Sequence, residues 1–288
     1  MTADNRKILG YLETAGAVHK LIKEYPHILT KEKSGFSTLG REIFTLKMGK
    51  GKRKILAVGA IHGREFLTAS FLLKCLEEYS EAVEKNSLYA GYCVRRIFEE
   101  FSLYCVPMSN PDSVEIALGR EKAPKGAGEK SYLYKNNARN VNLNANFSYK
   151  WESVPKEREG GTFPESEKET RFLVRLCERE NFEMLLSFHT RGNCVYWRDL
   201  GNGEVFPDEK LAEKLALECG FSLMKPTEKA EDYSGGFENW FRYKFVRPAF
   251  CVELVKDENR DFRKGQEDFY NAVDFEKTRK ALLSVMSL

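Results

Sequence analysis

Four short apolar runs, set apart by longer stretches of helical spacing, constrain the fold of this chain more than any other feature: Arg53 to Gly59, Phe101 to Met108, Met184 to Phe188 and Ala249 to Leu254. Brief apolar runs bounded by turn residues are the signature of buried strands. Leu67 to Val83, Glu165 to Arg179 and Pro207 to Cys219 separate them and carry helical periodicity. Strands alternating with helices imply a mostly parallel sheet covered on both faces. Further helices are expected over residues 5–24, stopped by Pro26, and over Gln266 to Met286. Glu42 to Met48 reads as another strand, set off by the turn Gly49-Lys50-Gly51, and Asn110-Pro111-Asp112 cuts off the second apolar run. Residues 118–135 and 150–166 read as surface loops. The expected fold class is α/β: one domain over residues 1–288, with a central twisted sheet, mostly parallel but mixed, and helices on both faces.

A chain of 288 residues can bury a large core, and one sizeable domain suits it better than two. Its net charge of +3 is too mild to imply a nucleic-acid or membrane partner. The polar start Met1 to Lys7 leads into no apolar signal core, and no stretch is long enough to cross a bilayer, so a cytoplasmic location is expected. The seven cysteines are odd in number and without close pairs, which points to free thiols and no disulfide-linked partner.

In sheets of this kind, functional residues collect at the carboxyl ends of the strands. His62 follows the first apolar run, His189 closes the third, and Glu253 nears the end of the fourth. His62 and Glu65 form a His-x-x-Glu pair. Two imidazoles and a carboxylate can hold one zinc ion and leave a position for water, and a second carboxylate can take that water's proton. Each residue also has a blander reading. Glu65 suits the first turn of a helix, where an acid meets the positive end of the dipole. His189 alone could be a hydrogen-bonded structural residue. Glu253 lies inside an apolar run, where an unpaired carboxylate costs several kcal/mol, so it needs a partner: a metal-bound water or a core arginine. His19 and His27 belong to the first helix and its exit and read as surface residues.

Together with further blocks in the same order, these residues resemble the zinc carboxypeptidase family. Gly35-Phe36-Ser37-Thr38-Leu39-Gly40-Arg41 looks like its opening turn, Asn110-Pro111-Asp112 its next loop, and Arg139 to Phe147 its substrate segment. The similarity runs from about Tyr25 to the C-terminal helix. It implies a carboxypeptidase-like fold and amide hydrolysis by a water whose pKa zinc lowers toward about 7. In this reading His62, Glu65 and His189 hold the metal and Glu253 is the general base. Arg139 would stabilise the oxyanion, with Lys135 close enough to serve instead.

The departures bear on substrate. The family's substrate segment usually reads Asn-Arg, and that arginine clamps a terminal carboxylate. Here the pair is Asn144-Ala145. Loss of the arginine resembles the bacterial γ-D-glutamyl-L-diamino acid peptidases, which cut peptidoglycan stem peptides. So do the runs Ser187 to Trp197 and Phe163 to Thr170. The implied partner is a peptide or muropeptide substrate. Asn144 would contact it, Tyr233 would cap it, Glu238 would face a substrate ammonium, and Arg191 is a candidate replacement anion clamp. The alternatives are an ordinary metallocarboxypeptidase, a deacylase of N-acyl amino acids on the same scaffold, and an inactive zinc- or peptide-binding homologue.

Overall fold

The four apolar runs become neighbours. The computed structural model describes residues 10–125, 131–198, 208–227, 229–255 and 274–287. Its strands are β1 (Leu29–Lys31), β2 (Gly35–Phe36), β3 (Glu42–Ile43), β4 (Leu46–Met48), β5 (Arg53–Val58), β6 (Leu88–Tyr89), β7 (Tyr92–Cys93), β8 (Phe101–Val106), β9 (Met184–His189), β10 (Cys194–Tyr196), β11 (Ser222–Leu223) and β12 (Ala249–Glu253). Eight of them form one sheet in the order β1-β4-β8-β5-β9-β12-β10-β11. The central four, β8-β5-β9-β12, are parallel and are the four apolar runs. Every residue of β8 and β9 is buried, as expected of strands covered on both faces. The flanking strands make the sheet mixed: β4 runs antiparallel to β8 and β10 antiparallel to β12.

The helices are α1 (Tyr11–Glu24), α2 (Leu67–Glu84), α3 (Val94–Glu100), α4 (Pro111–Ala117), α5 (Lys168–Glu180), α6 (Asp208–Cys219), α7 (Ala230–Tyr233), α8 (Phe237–Phe245), α9 (Phe275–Thr278) and α10 (Ala281–Met286). Residues 5–9 and 266–273 of the two expected terminal helices, and Pro207, lie outside the described residues. Alternation along each strand divides the core. Leu186 and Phe188 face a cluster built with α1, α2, α6 and α10. Leu185 and Ala249 face a second cluster built with α5 and α8. In the first, the Phe71 and Phe188 rings lie 5.2 Å apart. Among the described residues no helix is long and apolar enough to cross a membrane.

One expectation is corrected and two are extended. Glu42 to Met48 is two strands, because β3 pairs with β2 outside the main sheet while β4 joins it. Asn110-Pro111-Asp112 does more than end the strand; it also starts α4, with Pro111 at the first helical position and the Asn110 side chain accepting from Ser113 N. Residues 150–166 are the expected surface loop, and it folds back to form a wall. Asn146 Nδ2 donates to the carbonyls of Gly160 (2.8 Å) and Phe163 (3.2 Å), and Asn142 N donates to the Glu159 carbonyl (2.9 Å).

The turn Gly35 to Arg41 is tied to α4 by one buried carboxylate. Asp112 accepts from Ser37 Oγ (2.8 Å), Leu39 N (2.7 Å) and Arg41 Nη1 (2.8 Å). Two blocks far apart in sequence thus act as one clasp beneath the strand ends.

Phe188→Ala should cost about 3–5 kcal/mol of stability, because it empties the contact between β9 and α2. Urea unfolding would read this as a lower midpoint with an unchanged slope.

Candidate active site

Three chain segments reach the same point. After β5 the chain turns through His62 and a single 3-10 turn, Gly63–Glu65, before α2 begins. That turn leans on α4: a methyl group on Gly63 would lie 2.2 Å from the Ser113 carbonyl oxygen, so only glycine fits. Asn110 Nδ2 donates to the Ile61 carbonyl (2.9 Å), and Thr68 Oγ1 donates to the Glu65 carbonyl (2.8 Å). His189 is the last residue of β9 and Glu253 the last of β12; the parallel register places them side by side.

Glu65 is the meeting point. Its Oε1 lies 2.9 Å from His62 Nδ1 and its Oε2 3.0 Å from His189 Nδ1. The two imidazole centroids are 5.1 Å apart. Burial raises the Glu65 carboxyl, but the charges and hydrogen bonds of His62 and His189 outweigh it and hold the group well below the usual carboxylate range.

The outer nitrogens are held as well. His62 Nε2 lies 3.1 Å from Asn142 Oδ1, and His189 Nε2 lies 3.1 Å from Glu238 Oε1 and 3.0 Å from Ser187 Oγ. Rings fixed through one nitrogen present the other, which is the arrangement metal-ligating histidines use. The ligand atoms of His62, Glu65 and His189 all lie within 4.8 Å of one another. Two imidazole nitrogens, which a metal would take in their neutral form, and a carboxylate, with the ionised Glu238 nearby, fit zinc.

Glu253 stands outside this chain of bonds. Its carboxylate accepts the backbone N–H of Arg191 and lies 3.8 Å from the Cys251 thiol. Burial pushes it up to about 7; the positive His189 opposes the rise and the negative Glu65 adds to it. Glu253 lines a cleft of about 540 Å³ together with Asn144, Arg158, Tyr233 and Glu238.

The remaining expected residues are distributed as follows. Asn144 is in the cleft wall, with Oδ1 accepting from Phe237 N (2.7 Å). Tyr233 is there too, its ring buried and its hydroxyl accepting from Lys150 Nζ (3.2 Å). Arg139 does not reach the centre. It is exposed on the outer side of its loop and pairs with Glu167 (3.7 Å). Lys135, four residues earlier, lies beside the turn Gly63–Glu65, in which Arg64 pairs with Glu65 (3.8 Å). The Lys135 carbonyl accepts from Gly63 N (3.4 Å), and its half-buried amine, lowered by burial and by Arg64, feels the charge of Glu65. Glu238 does not stand free for an ammonium, because Oε1 meets His189 and Oε2 accepts from Asn144 Nδ2 (3.4 Å). Burial raises the Glu238 carboxyl, but His189 and Ser187 bring it down to about 2. Arg191 contributes its backbone amide to Glu253. Sequence reasoning missed Asn142 and Arg158; a polar residue two before Asn144 was the only signal for the first.

The profile of the zinc carboxypeptidase family matches residues 16–270. Gamma-D-glutamyl-L-diamino acid endopeptidase 1 of Lysinibacillus sphaericus is 27% identical over 84% of this chain and 64% of its own length. The chain therefore spans a little under two thirds of that relative. The uncharacterized protein YqgT of Bacillus subtilis (strain 168) is 30% identical over 84% of this chain and 69% of its own length. Among solved structures, bovine thrombin-activatable fibrinolysis inhibitor, in complex with tick carboxypeptidase inhibitor, superposes with a TM-score of 0.77. The match covers 98% of this chain and 97% of that one at 17% identity, which speaks to fold alone.

Because Glu238 fixes His189 from behind, Glu238→Gln should weaken zinc binding by about 10–100-fold. Competition with a chromophoric chelator measures this. Unchanged affinity would remove Glu238 from the support of the metal.

Proposed function

The chain belongs to the zinc carboxypeptidase family, and from that premise we propose that it is a zinc-dependent peptidase of bacterial peptidoglycan stem peptides, hydrolysing the γ-D-glutamyl-diamino acid bond. The observation that carries the substrate class is Ala145. The position where relatives place a carboxylate-binding arginine holds a fully buried methyl group. A methyl group cannot bind an anion, so ordinary trimming of C-terminal residues loses its usual anchor. The similarity to the Lysinibacillus endopeptidase supports the same choice.

Zinc held by His62, Glu65 and His189 would supply a water acidic near pH 7 and a Lewis acid for the amide carbonyl. The protein's own groups do the rest. Glu253, lining the cleft and outside the ligand network, accepts the water's proton and returns it to the leaving amine. Glu65 and Glu238 stay ionised while Glu253 is poised to titrate, which divides metal binding from proton transfer among three acids. Lys135 is assigned the charge that develops on the carbonyl oxygen in place of Arg139, because the Glu65 charge acts on its amine while Arg139 pairs with Glu167.

Mass spectrometry of products from L-Ala-γ-D-Glu-meso-diaminopimelate and from an ordinary L-peptide, offered side by side, tests the reading. Cleavage of the first alone is expected, and cleavage of the second alone would sink it. Stoichiometric zinc without turnover of either would open the substrate class and bring the deacylase reading next, whereas failure to bind zinc would point to a binding homologue. Glu253→Gln should lower kcat by about 10²–10⁴-fold. Lys135→Met should lower kcat/KM, while Arg139→Met leaves it nearly unchanged.

The pH profile follows from Glu253. The base must be ionised, so activity falls as pH drops through its pKa. Burial sets that value at about 7, and the positive charge of a bound metal draws it back. The acid limb of kcat/KM should therefore lie at or below pH 7 and vanish in Glu253→Gln.

A further inference from the structure

Arg158 is a cation held in place with no carboxylate in contact among the described residues. It closes a 3-10 turn, Lys156–Arg158, in the folded-back wall of the cleft. Nη1 donates to the carbonyls of Glu231 (2.7 Å) and Ser234 (3.1 Å), and Nη2 donates to that of Asn144 (3.0 Å). Carbonyls orient a guanidinium without neutralising it. Of its five N–H donors, Nε and one proton of Nη2 have no acceptor among the described residues. The nearby acids are committed elsewhere: Glu238 to His189 and Asn144, and Asp232 to Thr227 Oγ1 (3.0 Å). Both act on Arg158 through space, yet neither forms an ion pair with it among the described residues. Half-burying a charge without a counter-ion is costly, and the cost is recovered if a ligand brings the anion.

The location suits that ligand. Asn144, whose carbonyl Arg158 grips, immediately precedes Ala145, and Arg158 lines the same cleft as Glu253. Position 145 brings no anion-binding group to this cleft, since its side chain is a methyl group. Ala145 is fully buried, and methyl groups on Gly160 and Gly235 would lie 2.6 Å and 2.4 Å from its carbonyl oxygen.

Resting on the peptidase reading, we propose that Arg158 binds a substrate carboxylate through a charge-assisted hydrogen bond, taking over the anion recognition that position 145 cannot supply. A γ-D-glutamyl-lysine peptide offers two such groups, the α-carboxylate of the glutamyl residue and that of the lysine.

The test is calorimetric binding to the zinc-loaded Glu253→Gln protein, which holds peptide without turning it over. The probes are N-acetyl-L-alanyl-γ-D-glutamyl-L-lysine and its two monoamides, each capping one carboxylate. N-acetyl-L-phenylalanyl-L-lysine and its amide form a second set. One amide should bind at least about tenfold more weakly than its acid. That difference should disappear when Arg158→Ala is added and return in part with Arg158→Lys. The amide affected identifies the carboxylate. If only the ordinary peptide shows the pattern, the clamp stands and the peptidoglycan reading falls. If Arg158→Ala weakens acids and amides alike, Arg158 merely braces Asn144 and Ser234, and the proposal is overturned. It is overturned equally if no peptide with a free carboxylate binds.

Discussion

The carboxylate of Glu65, held between His62 and His189, is the interaction on which the rest of the site depends. A buried carboxylate survives only with partners, and both oxygens here are met by imidazoles. Each imidazole is then secured on its far side, one by Asn142 and the other by Glu238 and Ser187. Asn144 completes the circuit, since its side chain meets Glu238 and its backbone N–H donates to Asn142 (3.1 Å). The result is a closed loop of hydrogen bonds joining the turn after β5, the end of β9, the substrate segment and α8. A divalent ion entering such a loop meets donors already aimed, so little ordering remains to be done when it binds.

Placement of Glu253, the proposed base, follows from the sheet rather than from the loop. Parallel strands end level with one another, and the register sets Glu253 beside His189 on the same face. That face is the one on which α8 packs; His189 is buried there, while Glu253 lines the cleft. Within a short distance of each other, three acids then meet different fates. Those touching imidazole are driven down, and the one touching only an amide and a thiol is pushed up. Environment, not residue type, sets the three carboxyls apart, which is what the proposed roles of ligand, brace and base require.

Much of this was legible in the sequence. Strands buried on both faces must be apolar throughout, so β5, β8, β9 and β12 announce themselves, and polar residues at their ends stand out as candidates for chemistry. What stayed hidden depends on loop paths. Lys135 and Arg139 are cations in one loop, and no periodicity says which turns inward. The choice is made by backbone bonds: the Tyr134 and Lys135 carbonyls pair with Arg64 and Gly63, while Asn137 Oδ1 catches the amides of Arg139 and Val141. Glu238 departs from its expected role for a related reason. Its place was legible, but whether its oxygens face a ligand or a histidine is decided by the exit of β9, far away in sequence.

The wall formed by residues 150–166 shows how backbone packing and recognition are coupled. Gly160 and Gly235 approach the Ala145 carbonyl more closely than any side chain would permit, and Ala145 is sealed beneath them. The same closure carries Arg158 inward and sets it on the carbonyls of Asn144, Glu231 and Ser234. Two of those carbonyls flank the turn before α8, so the position of the cation follows that helix, and α8 also bears Glu238. A change that shifts α8 would move the brace on His189 and the seat of Arg158 together. Metal support and anion recognition here are parts of one mechanical unit.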